Sequence, residues 1–175
     1  MEADALAGRI GSIPARAREL LDAHRRTYHR FWQWSDGVFD FAMFCGHLFT
    51  VFGWPLQVER SPNVRSLRNF PMQGNGAEML RLACCLATER GVSVCAPVHD
   101  ALLIEADVSG IREAVTATQQ AMIEAGSVVL GGLELRVDAK VVAFPERYSD
   151  ARGARMWQLA TELANERDEV AHAAS

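Results

Sequence analysis

The chain has 175 residues, enough for one domain or a large piece of one, and 49% of them are apolar, an ordinary share for a folded core. No apolar run approaches the ~18 residues of a membrane span, and the opening Met1-Glu2-Ala3-Asp4-Ala5 has neither the basic lead nor the apolar run of a signal peptide. A formal net charge of −4 excludes strong overall attraction to nucleic acid but leaves room for a local basic face.

The charge is uneven. Arginines from Arg9 to Arg90 slightly outweigh the acids near them, whereas Glu162, Glu166, Asp168 and Glu169 crowd the end of the chain. Lys140 is its only lysine. Cys45, Cys84, Cys85 and Cys95 follow no metal-ligand spacing, and two of them are adjacent, which disfavours a strain-free bridge. They read as reduced, buried thiols, so the expected location is the cytoplasm.

In chain order, Ser12-Ile13-Pro14 reads as a helix start, with a capping serine and a proline in the first turn. Apolar residues then recur at helical spacing, from Ala17 through Leu20, Leu21, Phe31, Trp34, Val38 and Phe41. This predicts one long helix over residues 14–44, with a kink near Tyr28. Its aromatic stripe, Phe31, Trp32, Trp34, Phe39 and Phe41, is expected to pack rather than to stack on bases. Residues 47–59 alternate around Gly53-Trp54-Pro55 and predict a short hairpin. Residues 63–90 predict a second helix that opens irregularly at Pro71.

Two β-rich runs follow, residues 92–98 and 101–106, with His99 and Asp100 alone between them, the spelling of a tight hairpin. Ser109 is predicted to cap a helix running to about Ala125 and ended by Gly126. Residues 133–142 are predicted as a third strand, Pro145 as its break, and residues 150–167 as a final helix with an acidic, frayed end. No internal repeat or low-complexity segment interrupts this order. The fold class expected is α+β, an antiparallel sheet with long helices on one face.

A carboxylate at the tip of a stiff hairpin suits phosphoryl transfer. In that chemistry two magnesium ions, roughly 4 Å apart, activate the attacking oxygen and neutralise the leaving phosphate, and magnesium takes hard oxygen ligands. Taken alone, however, His99-Asp100 is equally a common turn pair.

The stretch upstream adds a second signature. Arg65-Ser66-Leu67-Arg68-Asn69-Phe70-Pro71-Met72-Gln73-Gly74 resembles the Arg-x-x-x-Asn-x-Pro-Met-Gln-Gly signature of family A (DNA polymerase I-like) DNA polymerases. In that family the signature leads through a helix and a β-run to Val-His-Asp, and Val98-His99-Asp100 follows here in the same order. The resemblance reaches from about Leu6 to about Trp157. It implies an incomplete polymerase domain: residues 1–60 as the helix and hairpin preceding the palm, 61–145 as a palm segment with the motif C hairpin, and 146–175 as a helical tail similar to the extended tails of some phage- or mobile-element-type members. By resemblance, Asp100 binds the catalytic Mg2+ ions and His99 contacts the primer terminus. Arg65, Arg68 and Asn69 meet the primer-template, and Gln73 reads the minor-groove edge of the terminal pair. An amide suits that task, since minor-groove acceptors are shared by all correct pairs, and the forked guanidinium of Arg65 suits a phosphate or a groove edge. The competing reading has Asn69 and Gln73 satisfying backbone groups around Pro71, and Arg65 and Arg68 forming a solvated face.

The chain departs from the family in two places. Ala101 stands where the family usually has a glutamate after the aspartate, and Glu105, at an odd offset from Asp100, reads as a surface acid rather than its substitute. The family's second metal-binding aspartate, and its nucleotide-binding helix with a lysine followed by Tyr-Gly, have no counterpart: neither Tyr28 nor Tyr148 precedes a glycine. The expectation is therefore a truncated or split polymerase or a fragment. Its partners would be primer-template DNA, a deoxynucleoside triphosphate whose site is mostly missing, and an N-terminal polymerase half; no membrane is expected. One aspartate is a poor cage for two metal ions, so the isolated chain is expected not to extend primers. A non-catalytic DNA-binding accessory module and a degenerate polymerase remnant stand as the alternatives.

Overall fold

The computed structural model describes residues 3–173, and the side chains of residues 3–165. The chain divides into two units, one ending at Val137 and the other beginning at Asp138. In chain order the first holds α1 (Ala3–Ile10), α2 (Pro14–Thr27), α3 (His29–Cys45), β1 (His47–Phe49), β2 (Pro55–Gln57), α4 (Val64–Glu89), β3 (Ser93–Val98), β4 (Ala101–Glu105) and α5 (Ile111–Val129). The second holds α6 (Ala154–Ala173). None of these helices is long and apolar enough to cross a membrane.

The single helix predicted over residues 14–44 is two. Tyr28, at φ −105° and ψ 41°, ends α2 and starts α3, so the predicted kink is a break. Thr27, Tyr28, Phe31 and Trp32 are weak helix formers, which places the break there. Helix re-forms at once, with Trp32 N donating to the Tyr28 carbonyl at 3.1 Å. Ser12 is not the cap of α2. That position falls to Ile13, with Pro14 at the first turn, while the Ser12 amide donates to the Ala7 carbonyl. Gly46 closes α3 in the left-handed region, at φ +75°, where a side chain would be strained.

Pro71 does not disturb α4 either. Asn63 caps the helix, its Oδ1 accepting from Arg65 N at 3.0 Å and Ser66 N at 3.2 Å, and the helix then runs unbroken to Glu89. An interior proline costs about 3 kcal/mol. Tertiary packing offsets it here: Leu67, whose carbonyl loses its partner, and Phe70, which precedes the proline, pack with Ala42, Leu48, Val38 and Phe39 in one core cluster. The second cluster joins Ala87 and Leu86 of α4 to Val92, to Val94, Leu102 and Ile104 of the β3–β4 hairpin, and to Ala121 and Ala117 of α5. Alanines on both helices let α4 and α5 approach closely, and an ion pair between Arg90 and Glu124 ties the C-terminal end of α4 to α5.

Helix α5 starts one residue after Gly110 rather than from a Ser109 cap, and it runs through Gly126. That glycine is buried, and a Cβ there would lie 3.2 Å from Leu135 Cδ1. The segment after α5 uses this space instead of forming the predicted third strand. Leu135 lies against Gly126, and Gln119 Nε2 donates to the Val137 carbonyl at 2.9 Å, with no strand assigned over residues 133–142. The mixture of helices and antiparallel strands matches the predicted α+β class. The single sheet does not: β1–β2 and β3–β4 are two separate two-stranded antiparallel hairpins.

The thiols also differ from expectation. Cys45 and Cys84 are half-buried, but Cys85 and Cys95 are exposed, and all four are free. Burial, with Cys85 alongside, raises the pKa of the Cys84 thiol and keeps it protonated. In the second unit, Lys140 Nζ lies 4.7 Å from the ring centre of Tyr148. The Arg152 guanidinium and backbone N–H bond to Asp150 and hold its carboxyl well below the usual range.

Candidate nucleic-acid and metal site

The β3–β4 hairpin has the predicted tip. Val98 pairs with Ala101, leaving His99 and Asp100 as the two turn residues. A two-residue hairpin turn requires a positive φ, normally supplied by glycine or asparagine. Here His99 supplies it, at φ +55°, the one non-glycine residue in that region among those described. Left-handed backbone costs a side chain of this kind roughly 1 kcal/mol or more, and such strain concentrates at functional sites. Both tip residues are exposed.

Alternation sends Leu102 and Ile104 into the core, leaving Ala101, Leu103 and Glu105 on the open face. A register shift at Cys95 bulges β3. Glu105 pairs with Ser93 at the far end of the ladder, about 17 Å from Asp100 at strand rise. It cannot share a metal ion with Asp100. Among the described residues no three His, Cys, Asp or Glu side chains converge to hold a metal. The donor set here therefore amounts to one hard carboxylate, and it does not complete a magnesium shell.

Helix α4 packs against both strands of this hairpin. Arg65, Asn69 and Gln73 recur at every fourth position of α4, so they share one face, and all three are exposed. Leu67, Gly74 and Glu78 occupy the opposite side. Arg68, grouped with the first three on sequence, is placed elsewhere. Its Nη1 donates to the buried Ser35 hydroxyl at 3.0 Å and pairs with Asp36 Oδ1 at 2.6 Å, and its guanidinium lies 5.6 Å from the ring centre of Phe39. Arg68 thus ties α4 to α3. Asn69 and Gln73 enter none of the side-chain hydrogen bonds among the described residues, so Pro71 does not engage them.

A polar lock that the sequence alone did not indicate lies behind this stripe. Glu78 is 4% exposed. Its Oε1 accepts from the Thr50 hydroxyl at 2.6 Å, while its Oε2 pairs with Arg81. The Thr50 oxygen accepts in turn from Trp54 N at 2.9 Å, and Asn75 Oδ1 accepts from Val51 N at 2.8 Å. Gly74 lets the two elements touch, since a Cβ there would sit 2.9 Å from Thr50 Cγ2. The tip of the β1–β2 hairpin is therefore fastened to the turn of α4 that carries Gln73. The one sequence signal was a glutamate at the helix position facing the core, within Gly74-Asn75-Gly76-Ala77-Glu78.

No protein-family model matches the chain. In sequence it is similar to DNA polymerase I of Deinococcus radiodurans, 25% identical over an alignment of 135 positions that covers 70% of this chain and 14% of that protein. In fold it is similar to the POL domain of Pol1 from M. smegmatis, solved in complex with DNA primer-template and dNTP. That likeness has a TM-score of 0.64 and 22% identity, and covers 71% of this chain and 24% of the other. The chain thus spans a small part of the length of both.

Proposed function

We propose, from the premise that the chain resembles part of a DNA polymerase I in sequence and a POL domain in fold, that it is the C-terminal palm portion of a family A DNA-directed DNA polymerase. The observation that carries this reading is one helix serving two signatures. Helix α4 displays Arg65, Asn69 and Gln73 on one exposed face, and it also packs against the hairpin that presents His99 and Asp100.

In this reading primer-template DNA lies along the α4 stripe. Arg65 engages a phosphate or groove edge, and the amides of Asn69 and Gln73 reach minor-groove acceptors common to correct base pairs. His99, on a backbone held out of the ordinary region, faces the primer terminus. Asp100 supplies one hard oxygen ligand to Mg2+, which when bound provides the charge neutralisation of nucleotidyl transfer. The second metal aspartate and the helix that binds the deoxynucleoside triphosphate come from polymerase sequence outside this chain, which fits the small share of each relative that it spans.

Primer extension tests the assignment. The 175-residue chain alone is expected to give no magnesium-dependent extension, and extension is expected when polymerase sequence carrying the missing aspartate and nucleotide helix is supplied in cis or in trans. Extension by the chain alone would refute the division of the site. For DNA binding, Arg65→Ala is expected to lower the slope of log affinity against log salt by about 1, because one phosphate contact is lost. An unchanged slope, measured by anisotropy on a primer-template, removes Arg65 from the interface.

A further inference from the structure

The junction of α2 and α3 carries a second surface that the palm reading does not use. From His24 to Trp34 the sequence reads His-Arg-Arg-Thr-Tyr-His-Arg-Phe-Trp-Gln-Trp, with three arginines and no carboxylate, in a chain whose net charge is −4. The aromatic stripe expected to be packing divides here. Phe39 joins the core, but Phe31, Trp34 and Phe41 stand 42%, 44% and 53% exposed, as does Tyr28 just before the stripe, at 55%.

The exposed rings form an ordered cluster. The Trp32 ring is held by its Nε1–H, which donates to His24 Nδ1 at 3.1 Å, and by the Arg25 guanidinium, 4.6 Å from the ring centre. Phe31 lies 5.7 Å from Trp32 and 5.9 Å from Trp34. Arg26 and Arg30, in the same segment, are exposed.

We propose that this junction binds single-stranded DNA, with Tyr28, Phe31 and Trp34 as a stacking platform for bases and Arg25 and Arg30 as contacts to the backbone. Charge complementarity selects the occupant: an eleven-residue run with three arginines and no carboxylate, flanked by Asp22 and by Asp36, which Arg68 already pairs, favours a polyanion on a protein that is acidic as a whole. Aromatic faces interleaved with arginine are what unpaired bases require, whereas a duplex hides its base faces. The choice of DNA over RNA rests on the polymerase reading; the platform itself does not.

Fluorescence anisotropy of a labelled 12-mer of deoxythymidine, titrated with the full 175-residue chain at low salt, tests the proposal. Binding is expected, with tryptophan quenching, and in an Arg65→Ala background, which weakens the α4 face, with a preference over a blunt duplex of the same length. Trp34→Ala and Phe31→Ala should each weaken binding by about tenfold, the low end of base stacking. Arg30→Gln, an exposed change that leaves the helix intact by circular dichroism, should lower the salt slope by about 0.7. No binding by the parent chain, equal affinity for the duplex in an Arg65→Ala background, or unchanged affinity in both Arg30→Gln and Trp34→Ala would overturn it. So would a dimer, seen by sedimentation, that Trp34→Ala dissolves, since the platform would then be a protein interface. Loss of oligomer binding in these variants, together with failure of every assembly to extend primers, would keep the platform and sink the polymerase reading. The converse pattern would do the reverse.

Discussion

Asp100→Ala, introduced into a complete polymerase assembly containing this chain, is expected to lower the rate of nucleotide incorporation by about a thousandfold or more while changing primer-template affinity little. The magnitude follows from metal-ion stabilisation of the transferring phosphoryl group, worth several kcal/mol, at about 1.4 kcal/mol for each factor of ten. The asymmetry follows from placement. Asp100 is on the β3–β4 tip, and the groups assigned to DNA, His99 apart, are on α4. A ligand lost from the metal acts on the transition state, so kcat falls rather than affinity. Single-turnover incorporation beside equilibrium binding of the same primer-template separates the two. Near-normal incorporation by Asp100→Ala ends the metal assignment. The departure at position 101 sharpens the expectation: an alanine beside Asp100 offers no second carboxylate to take over.

Glu78→Ala is expected to be the most damaging single change to the fold around α4, lowering stability by about 3 kcal/mol and the unfolding midpoint by about 10 °C. The carboxylate is almost wholly buried and has two partners. Removing it strands the Thr50 hydroxyl, itself 5% exposed, without an acceptor, and leaves a cavity between α4 and the β1–β2 hairpin. Arg81 is largely exposed and can be solvated, so little of the cost comes from that side. Glu78→Gln keeps the volume and an acceptor for Thr50 and should cost about 1 kcal/mol. Thermal unfolding of both variants checks the assignment. Equal losses from alanine and glutamine would mean that charge, not the Thr50 hydrogen bond, carries the lock.

Several elements were legible because their causes are local. A two-residue gap between β-rich runs specifies a hairpin through turn geometry, and Val98 pairs with Ala101 as that gap requires. The β1–β2 hairpin was equally readable from Gly53-Trp54-Pro55. The spacing Arg65, Asn69, Gln73 specifies one helical face, since helix periodicity is intrinsic to the backbone.

Where tertiary contacts outweigh local preference, the structure departs from what the local sequence favours. Pro71 argued for an irregular opening of the helix, yet the packing of Leu67 and Phe70 carries α4 through it. Gly126 argued for a helix end, yet it is buried where Leu135 needs room. Residues 133–142 have the composition of a strand, but a strand needs a neighbour, and residues 133–137 lie along α5 instead. The separation of Arg68 from Arg65 had the same origin: the two are alike in sequence, and only the position of Ser35 and Asp36 on α3 decides that one is bound and the other free to meet a ligand.

By itself, then, the sequence determined the mixed α and antiparallel β class, the His99-Asp100 tip and the Arg65–Asn69–Gln73 face, because turn chemistry and helical period act over a few residues. The tertiary structure alone decided that α4 is continuous, that Glu78 and Thr50 form a buried lock behind Gln73, and that the rings at the α2–α3 junction stay open to solvent. Each of those depends on which distant side chain occupies the space beside it, and burial is a property of that neighbourhood rather than of the residue.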